Sequence, residues 1–167
     1  MTDVQIRPAA SDEEADAAGG VVADAYFSDG FREDGYRTQL LDGRARARDA
    51  TLLVAVEQVD GVDRVVGSVT YAVPGQPYAE VSRPDEAEFR MLGVSPAGQG
   101  RGVGAALVQA CIDRARSEGR TALVLCTEVN MLSAQRLYER MGFVRLPERD
   151  WQPLPIVHLL AYGFRLD

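Results

Sequence analysis

Apolar positions along the chain alternate in some stretches and recur every three to four residues in others, and these changes of period divide it into elements. Val4 to Arg7 alternates and stops at Pro8, which predicts a first strand. Ser11 followed by Asp12, Glu13 and Glu14 is a helix start, a capping hydroxyl and then acids against the positive end of the dipole. That helix is expected to reach about Phe27, with Gly19 and Gly20 weakening its middle. A glycine- and aspartate-rich loop covers Ser28 to Gly35, and Tyr36 to Arg48 reads as a second helix. Thr51 to Glu57 and Arg64 to Val73 are alternating, valine-rich strands joined through Asp60-Gly61-Val62-Asp63, a hairpin signal. Pro74 to Pro84 holds three prolines and a glycine, either a plain connection or the wall of a binding site.

The most informative stretch is Glu88 to Ala115. Glu88 to Val94 predicts a strand that Pro96 ends. Gly100, Gly102 and Gly104 follow, and Val103, Leu107, Ala110, Cys111 and Ala115 then fall at helical spacing. Glycines at a helix N-terminus let an anion approach unpaired backbone N–H groups, so this is a cradle for phosphate or pyrophosphate. A P-loop needs a lysine, and the chain has none. Gly100, Gly102 and Ala105 satisfy the dinucleotide pattern G-x-G-x-x-A, with Glu128 at the distance of a ribose-binding acid. The hairpin before the loop argues against that reading, because such a fingerprint opens a parallel sheet. Thr121 to Thr127 is a continuous apolar run, as expected of a buried parallel strand. Ala134, Leu137, Tyr138 and Met141 mark one face of a helix that Asn130 is placed to cap and Gly142 to end. Phe143 to Arg149 and Ile156 to Phe164 read as closing strands.

Two of these motifs carry a resemblance. Gln99-Gly100-Arg101-Gly102-Val103-Gly104 resembles the Q/R-x-x-G-x-G/A pyrophosphate loop of the GNAT acetyltransferase superfamily, and Met91 to Pro96 resembles its bulged central strand. The helix from Asn130 to Tyr138, followed by Gly142-Phe143, is similar to the family's second signature. The resemblance implies a mixed α/β sheet with antiparallel N-terminal strands and a central parallel pair that splays apart to admit a thioester. It also implies acetyl-CoA as co-substrate and transfer to an amine of a small molecule or protein. Leu92, Gly93 and Val94 would then contact the pantetheine arm, Gln99 to Gly104 the pyrophosphate, and Asn130 and Ala134 the same cofactor. A non-catalytic acyl-CoA-binding module and an NAD-dependent oxidoreductase are the alternatives.

Two residues are candidates for the chemistry. By position alone Tyr138 is a core aromatic, but the family's acid is a tyrosine at that place in the motif. Glu88 is either a solvated acid at a strand start or the catalytic carboxylate that several family members carry there. By the two-residue strand period it shares a face with Arg90 and Leu92. From a bulge at Leu92 to Val94 it lies about 13 Å away, so it would act through water. His158, the lone histidine, has no motif around it and reads as structural.

Composition narrows the partners. One domain of 167 residues is expected, with a net charge of −7 that disfavours nucleic acid. All 18 basic residues are arginines, which removes lysine-based covalent chemistry. The locally basic run Gly43 to Arg48 reads either as a solvated helix end or as a lip for an anion. Cys111 and Cys126 sit in apolar contexts and read as two buried free thiols; no metal site is expected. Nothing resembles a signal peptide or membrane span, so no membrane partner and a cytoplasmic location are expected. The sequence is silent on the acceptor and on assembly, though homodimers are common among such folds.

Overall fold

The computed structural model describes residues 3–31 and 34–167. Eight strands form one mixed sheet in the order β1-β2-β3-β4-β5-β8-β6, with β7 paired to β8. The strands are β1 Gln5–Pro8, β2 Thr51–Val59, β3 Val62–Ala72, β4 Ala87–Val94, β5 Ala122–Glu128, β6 Val144–Arg145, β7 Trp151–Leu154 and β8 Val157–Arg165. All neighbours are antiparallel except β4 and β5. The helices are α1 Asp12–Ser28, α2 Asp34–Leu41, α3 Gly43–Asp49, α4 Val103–Ser117 and α5 Leu132–Arg140. One face of the sheet carries α1 to α3; α4 and α5 pack on the other, around Val103, Leu107, Cys111, Phe89 and Leu125.

Helix α1 starts as its sequence dictates. Ser11 accepts from the Glu14 amide at 3.2 Å, and the Glu14 carboxylate accepts from the Ala10 amide and from both terminal nitrogens of Arg7, each at 2.7 Å. Gly19 is a packing residue within this helix. A Cβ there would stand 2.2 Å from the Leu41 carbonyl oxygen, so α1 and α2 meet backbone to backbone.

The expected helix Tyr36 to Arg48 is two helices, broken at Asp42, whose side chain caps α3 by accepting from the Ala45 amide at 3.1 Å. The break puts Arg46 in the interior, fully buried. Its guanidinium donates to the α2 carbonyls of Gln39 at 2.6 Å and Leu40 at 2.9 Å, groups that a helix end leaves unpaired. The solvated reading therefore holds for Arg44 and Arg48, which are exposed and paired with Asp16 and Asp49, and fails for Arg46. The expected strand Phe143 to Arg149 is only the two residues of β6, because Pro147 starts a 3₁₀ turn. The segment after it, which falls between the two closing strands expected from the sequence, is β7, a hairpin partner of β8 with Trp151 opposite Leu159.

Candidate active site

The central parallel pair opens. β4 and β5 are paired at Ala87–Leu123, Glu88–Val124 and Phe89–Leu125 and no further, although β4 continues against β3 and β5 against β8. The cause is a bulge in β4, where Met91 and Leu92 together oppose Val69. Met91 has φ of 57°, a left-handed conformation rare for a side chain of its size. The sequence placed this bulge at Leu92 to Val94; it begins at Met91. The extra residue also corrects the facing. Arg90 and Met91 both turn toward α1 and α2, and Leu92 turns toward α4, so Glu88 and Leu92 lie on opposite faces.

On one side of the opening runs a groove of about 340 Å³ lined by Leu92, Gly93, Val94, Gln99, Gly104, Met131, Ala134 and Leu137. Six of the expected cofactor residues thus meet. The N-cap of α4 is Gly102, left-handed at φ 76° and without a side chain to cap the helix. The first internal bond of α4 runs from the Ala106 amide to the Gly102 carbonyl. The amides of Val103, Gly104 and Ala105 therefore have no partner within the helix. Val103 itself is buried in the core, so only its backbone can serve a ligand. Gly100 is left-handed at φ 73° and a Cβ there would meet open space. These features fit a pyrophosphate.

Two expected contacts go elsewhere. Arg101 donates to Glu57 at 2.7 Å, a carboxylate that also pairs with Arg64. Asn130 does not cap α5. The cap is Met131, one residue later, and the Asn130 backbone and side-chain amides donate to Glu128 at 2.7 and 3.4 Å. Among the described residues no side chain hydrogen-bonds the start of α5 as a cap, so two such helix ends flank the groove.

On the other side lies a cavity of about 300 Å³. Tyr26, Phe31 and Tyr36 form one wall, with ring centroids 5.4 to 6.1 Å apart. Burial pushes the Tyr26 and Tyr36 hydroxyls up, so this wall is uncharged at neutral pH. Trp151, Leu154 and Val157 of the β7–β8 hairpin form another. Among the described residues three charges line it: Glu80, Arg90 and Glu128. Arg90 pairs with Glu80 at 3.0 Å and donates to the Tyr36 hydroxyl at 3.2 Å. Glu128, at the end of β5, is buried. The sequence offered the Pro74 to Pro84 stretch, which holds Glu80, as a possible wall and Glu128 only as the acid of a dinucleotide site, and passed over the aromatic residues. The available signal was the run of aromatics Tyr26, Phe27, Phe31 and Tyr36 around a glycine-rich loop, where burial alone rarely calls for so many rings.

Tyr138 stands behind the opening, its ring edge-on to Phe89 with centroids 5.7 Å apart, and Phe89 is the last β4 residue paired with β5. It is buried, its hydroxyl makes no hydrogen bond among the described residues, and burial pushes its pKa up. Glu88 is 1% exposed and lines neither cavity. Its Oε1 accepts from the backbone amides of Glu80, Val81 and Ser82 at 2.9, 3.0 and 3.0 Å. Burial raises its pKa and those amides pull it down. It is thus neither a solvated strand-start acid nor a carboxylate facing the opening.

Cys111 is buried as expected, whereas Cys126 is half-buried in the cavity wall, its thiol pushed up to about 12 by burial. His158 is exposed. Among the described residues no three His, Cys, Asp or Glu side chains gather as metal ligands, and no helix is long and apolar enough to cross a membrane.

A sequence model described as the acetyltransferase (GNAT) family matches residues 20–143. The chain belongs to the acetyltransferase (GNAT) family. The family's enzymes take acetyl-CoA as co-substrate and act on amines. A GCN5-related N-acetyltransferase from Kribbella flavida is 27% identical, with 98% of each chain covered and a TM-score of 0.67. The fold is shared by yncA of Salmonella typhimurium, solved with acetyl-CoA, at 23% identity and a TM-score of 0.64 over 99% of this chain and 95% of that one. Among curated proteins, a mycothiol acetyltransferase of Renibacterium salmoninarum is 30% identical over 96 residues, 58% of this GNAT chain. The match spans only 27% of that relative's length.

Proposed function

We propose that this GNAT chain transfers an acetyl group from acetyl-CoA to an amine held in the aromatic cavity. The observation that supports it best is the opening between β4 and β5, with the glycine-loop groove on one side and the cavity on the other. Acetyl-CoA in the groove would present its thioester at the opening. The α4 amides and Gly100 to Gly104 hold the pyrophosphate, and the free edge of Leu92 to Val94 pairs with the pantetheine arm. The extra residue of the bulge leaves a backbone N–H to face the carbonyl oxygen as negative charge develops.

The acceptor ammonium loses one proton to solvent before attack, and a second, which balances the one the thiolate takes up, as the amide forms. In the same step the C–N bond forms, the C–S bond breaks, and the departing thiolate takes a proton. Tyr138 is our candidate donor, because its hydroxyl has no hydrogen-bond partner among the described residues and burial keeps it protonated at neutral pH. Glu88 holds the 80–82 turn that forms part of the cavity wall. A dinucleotide site is disfavoured by topology, since β4 is antiparallel to β3 and parallel to β5 alone. The free thiols agree with a reducing compartment such as the cytoplasm.

A thermal melt tests the cofactor assignment. Acetyl-CoA at 100 times its Kd adds about 2.7 kcal/mol to stability and raises the melting temperature. Gly102→Asp puts a side chain and a negative charge at the loop and should abolish the rise. An equal rise in a folded Gly102→Asp protein would refute the placement.

A further inference from the structure

We infer that the acceptor is a small primary amine bearing an aromatic or branched apolar group, with its ring against Tyr26, Tyr36 and Trp151 and its ammonium on Glu128. This rests on the acetyl-transfer reading and adds the chemical class of the acceptor. Size comes first. At about 300 Å³ the cavity is at the small end of ligand sites, matched to a molecule of amino-acid size. Its walls come next. The rings of Tyr26 and Tyr36 lie 6.1 Å apart on one side, and Trp151, 37% exposed, faces the space from the β7–β8 hairpin. Flat rings on two sides suit an aromatic or branched apolar group better than a hydrated polyol or polyamine.

Charge decides the rest. Glu80 and Glu128 stand against Arg90, and Arg90 is already engaged by Glu80 at 3.0 Å and by the Tyr36 hydroxyl at 3.2 Å. Among the described residues the charge without an ion-pair partner is Glu128, a residue that is 7% exposed. It takes two hydrogen bonds from Asn130, at 2.7 and 3.4 Å, while a carboxylate can accept about four. Met131, three residues on and bonded through its amide to the Glu128 carbonyl at 2.9 Å, lines the cofactor groove, so Glu128 stands where the two cavities approach each other. An ammonium there lies beside the opening, and the ring faces attract it further. A carboxylate or phosphate on the acceptor would meet Glu128 unpaired.

Trp151 is the sole tryptophan in the chain, so its fluorescence reports cavity binding without any acetyl transfer. Titrations would compare 2-phenylethylamine with 2-phenylethanol, 3-phenylpropanoate, spermidine and an alanine-initiated tetrapeptide. We expect saturable change with 2-phenylethylamine, at least tenfold weaker binding of the other four, and no saturation with 3-phenylpropanoate. Glu128→Gln should weaken the amine at least tenfold and leave 2-phenylethanol within twofold. No saturable amine signal, or binding of 3-phenylpropanoate, spermidine or the peptide as tight as the amine, overturns the inference; these ligand comparisons need no variant. An acetyl-CoA melt run beside them separates the two readings. Stabilisation by acetyl-CoA without an amine signal sinks this inference alone; an amine signal without stabilisation by acetyl-CoA sinks acetyl transfer and leaves only an amine-binding cavity.

Discussion

Glu88→Ala removes the oxygen that holds the 80–82 turn against β4. Oε1 accepts three backbone amides at 2.9 to 3.0 Å inside a residue that is 1% exposed. A hydrogen bond to a charged group contributes about 1.5–3 kcal/mol, but the three are not additive, because a freed turn can rehydrate its amides. A net loss of about 3 kcal/mol follows, which lowers the melting temperature of a chain this size by about 6–12 °C. Glu88→Gln keeps an accepting oxygen and should cost about 1 kcal/mol. It also stops the site titrating. Burial raises the Glu88 pKa in the folded state, so its contribution to stability is complete below the unfolded carboxylate value and declines as pH rises through the folded one. That slope should vanish in Glu88→Gln. The assay is a melt of wild type and both variants from pH 4 to 8, with steady-state kinetics at varied acceptor. Glu80 pairs with Arg90 in the cavity wall, so loosening the turn should raise the acceptor KM several-fold and leave the shape of the kcat–pH profile intact. A Glu88→Gln enzyme with an unchanged melt, kcat lowered 10²-fold and the acidic limb of its profile erased would refute the clamp and make Glu88 the base.

Tyr138→Phe keeps the ring among Phe89, Phe143 and Tyr162 and removes only the hydroxyl, so stability and acetyl-CoA affinity should hold while turnover falls by roughly 10²–10⁴. Unchanged turnover would assign the residue to the core alone. Arg46→Met leaves the Gln39 and Leu40 carbonyls unpaired and should cost about 3 kcal/mol in a denaturant melt, with Arg46→Lys no full rescue because it lacks the fork. A loss below 1 kcal/mol would contradict the burial described. The Arg7 guanidinium holds the Glu14 carboxyl down to about 2, so that pair stabilises the fold above pH 4.5 and its contribution fades as pH falls from there toward 2. Arg7→Gln should flatten the acid limb of the stability curve; an identical limb in both proteins would refute the pairing.

The strands other than β6 and β7, the first helix with its Ser11 cap, and the glycine loop could be read from the sequence because each rests on local chemistry: period, capping side chain, turn residue. What could not be read depends on contacts across the fold. The left-handed Met91 carries no glycine to announce it, so the bulge could be placed only by the family pattern, one residue late. Arg44 and Arg46 look alike in sequence, and only the break at Asp42 sends one to solvent and the other into the core. Asn130 looked like a cap, but Glu128 two residues earlier takes its amides. Glu88 kept its place in the strand, while the loop that folds over it comes from the proline-rich stretch, whose path no periodicity predicts. The aromatic cavity joins the end of α1, the start of α2 and a hairpin more than a hundred residues later, and sequence proximity shows none of that.

The central claim is acetyl transfer to an amine at the opening between β4 and β5, and amine-dependent release of free thiol from acetyl-CoA tests it most directly. With 2-phenylethylamine present, thiol should appear in step with an N-acetylated product found by mass spectrometry, with turnover in the ordinary enzymatic range of about 1–10³ per second. Acetyl-CoA that stabilises the protein in a melt, yet releases no thiol with any amine offered, would contradict the claim and leave an acyl-CoA-binding module in its place.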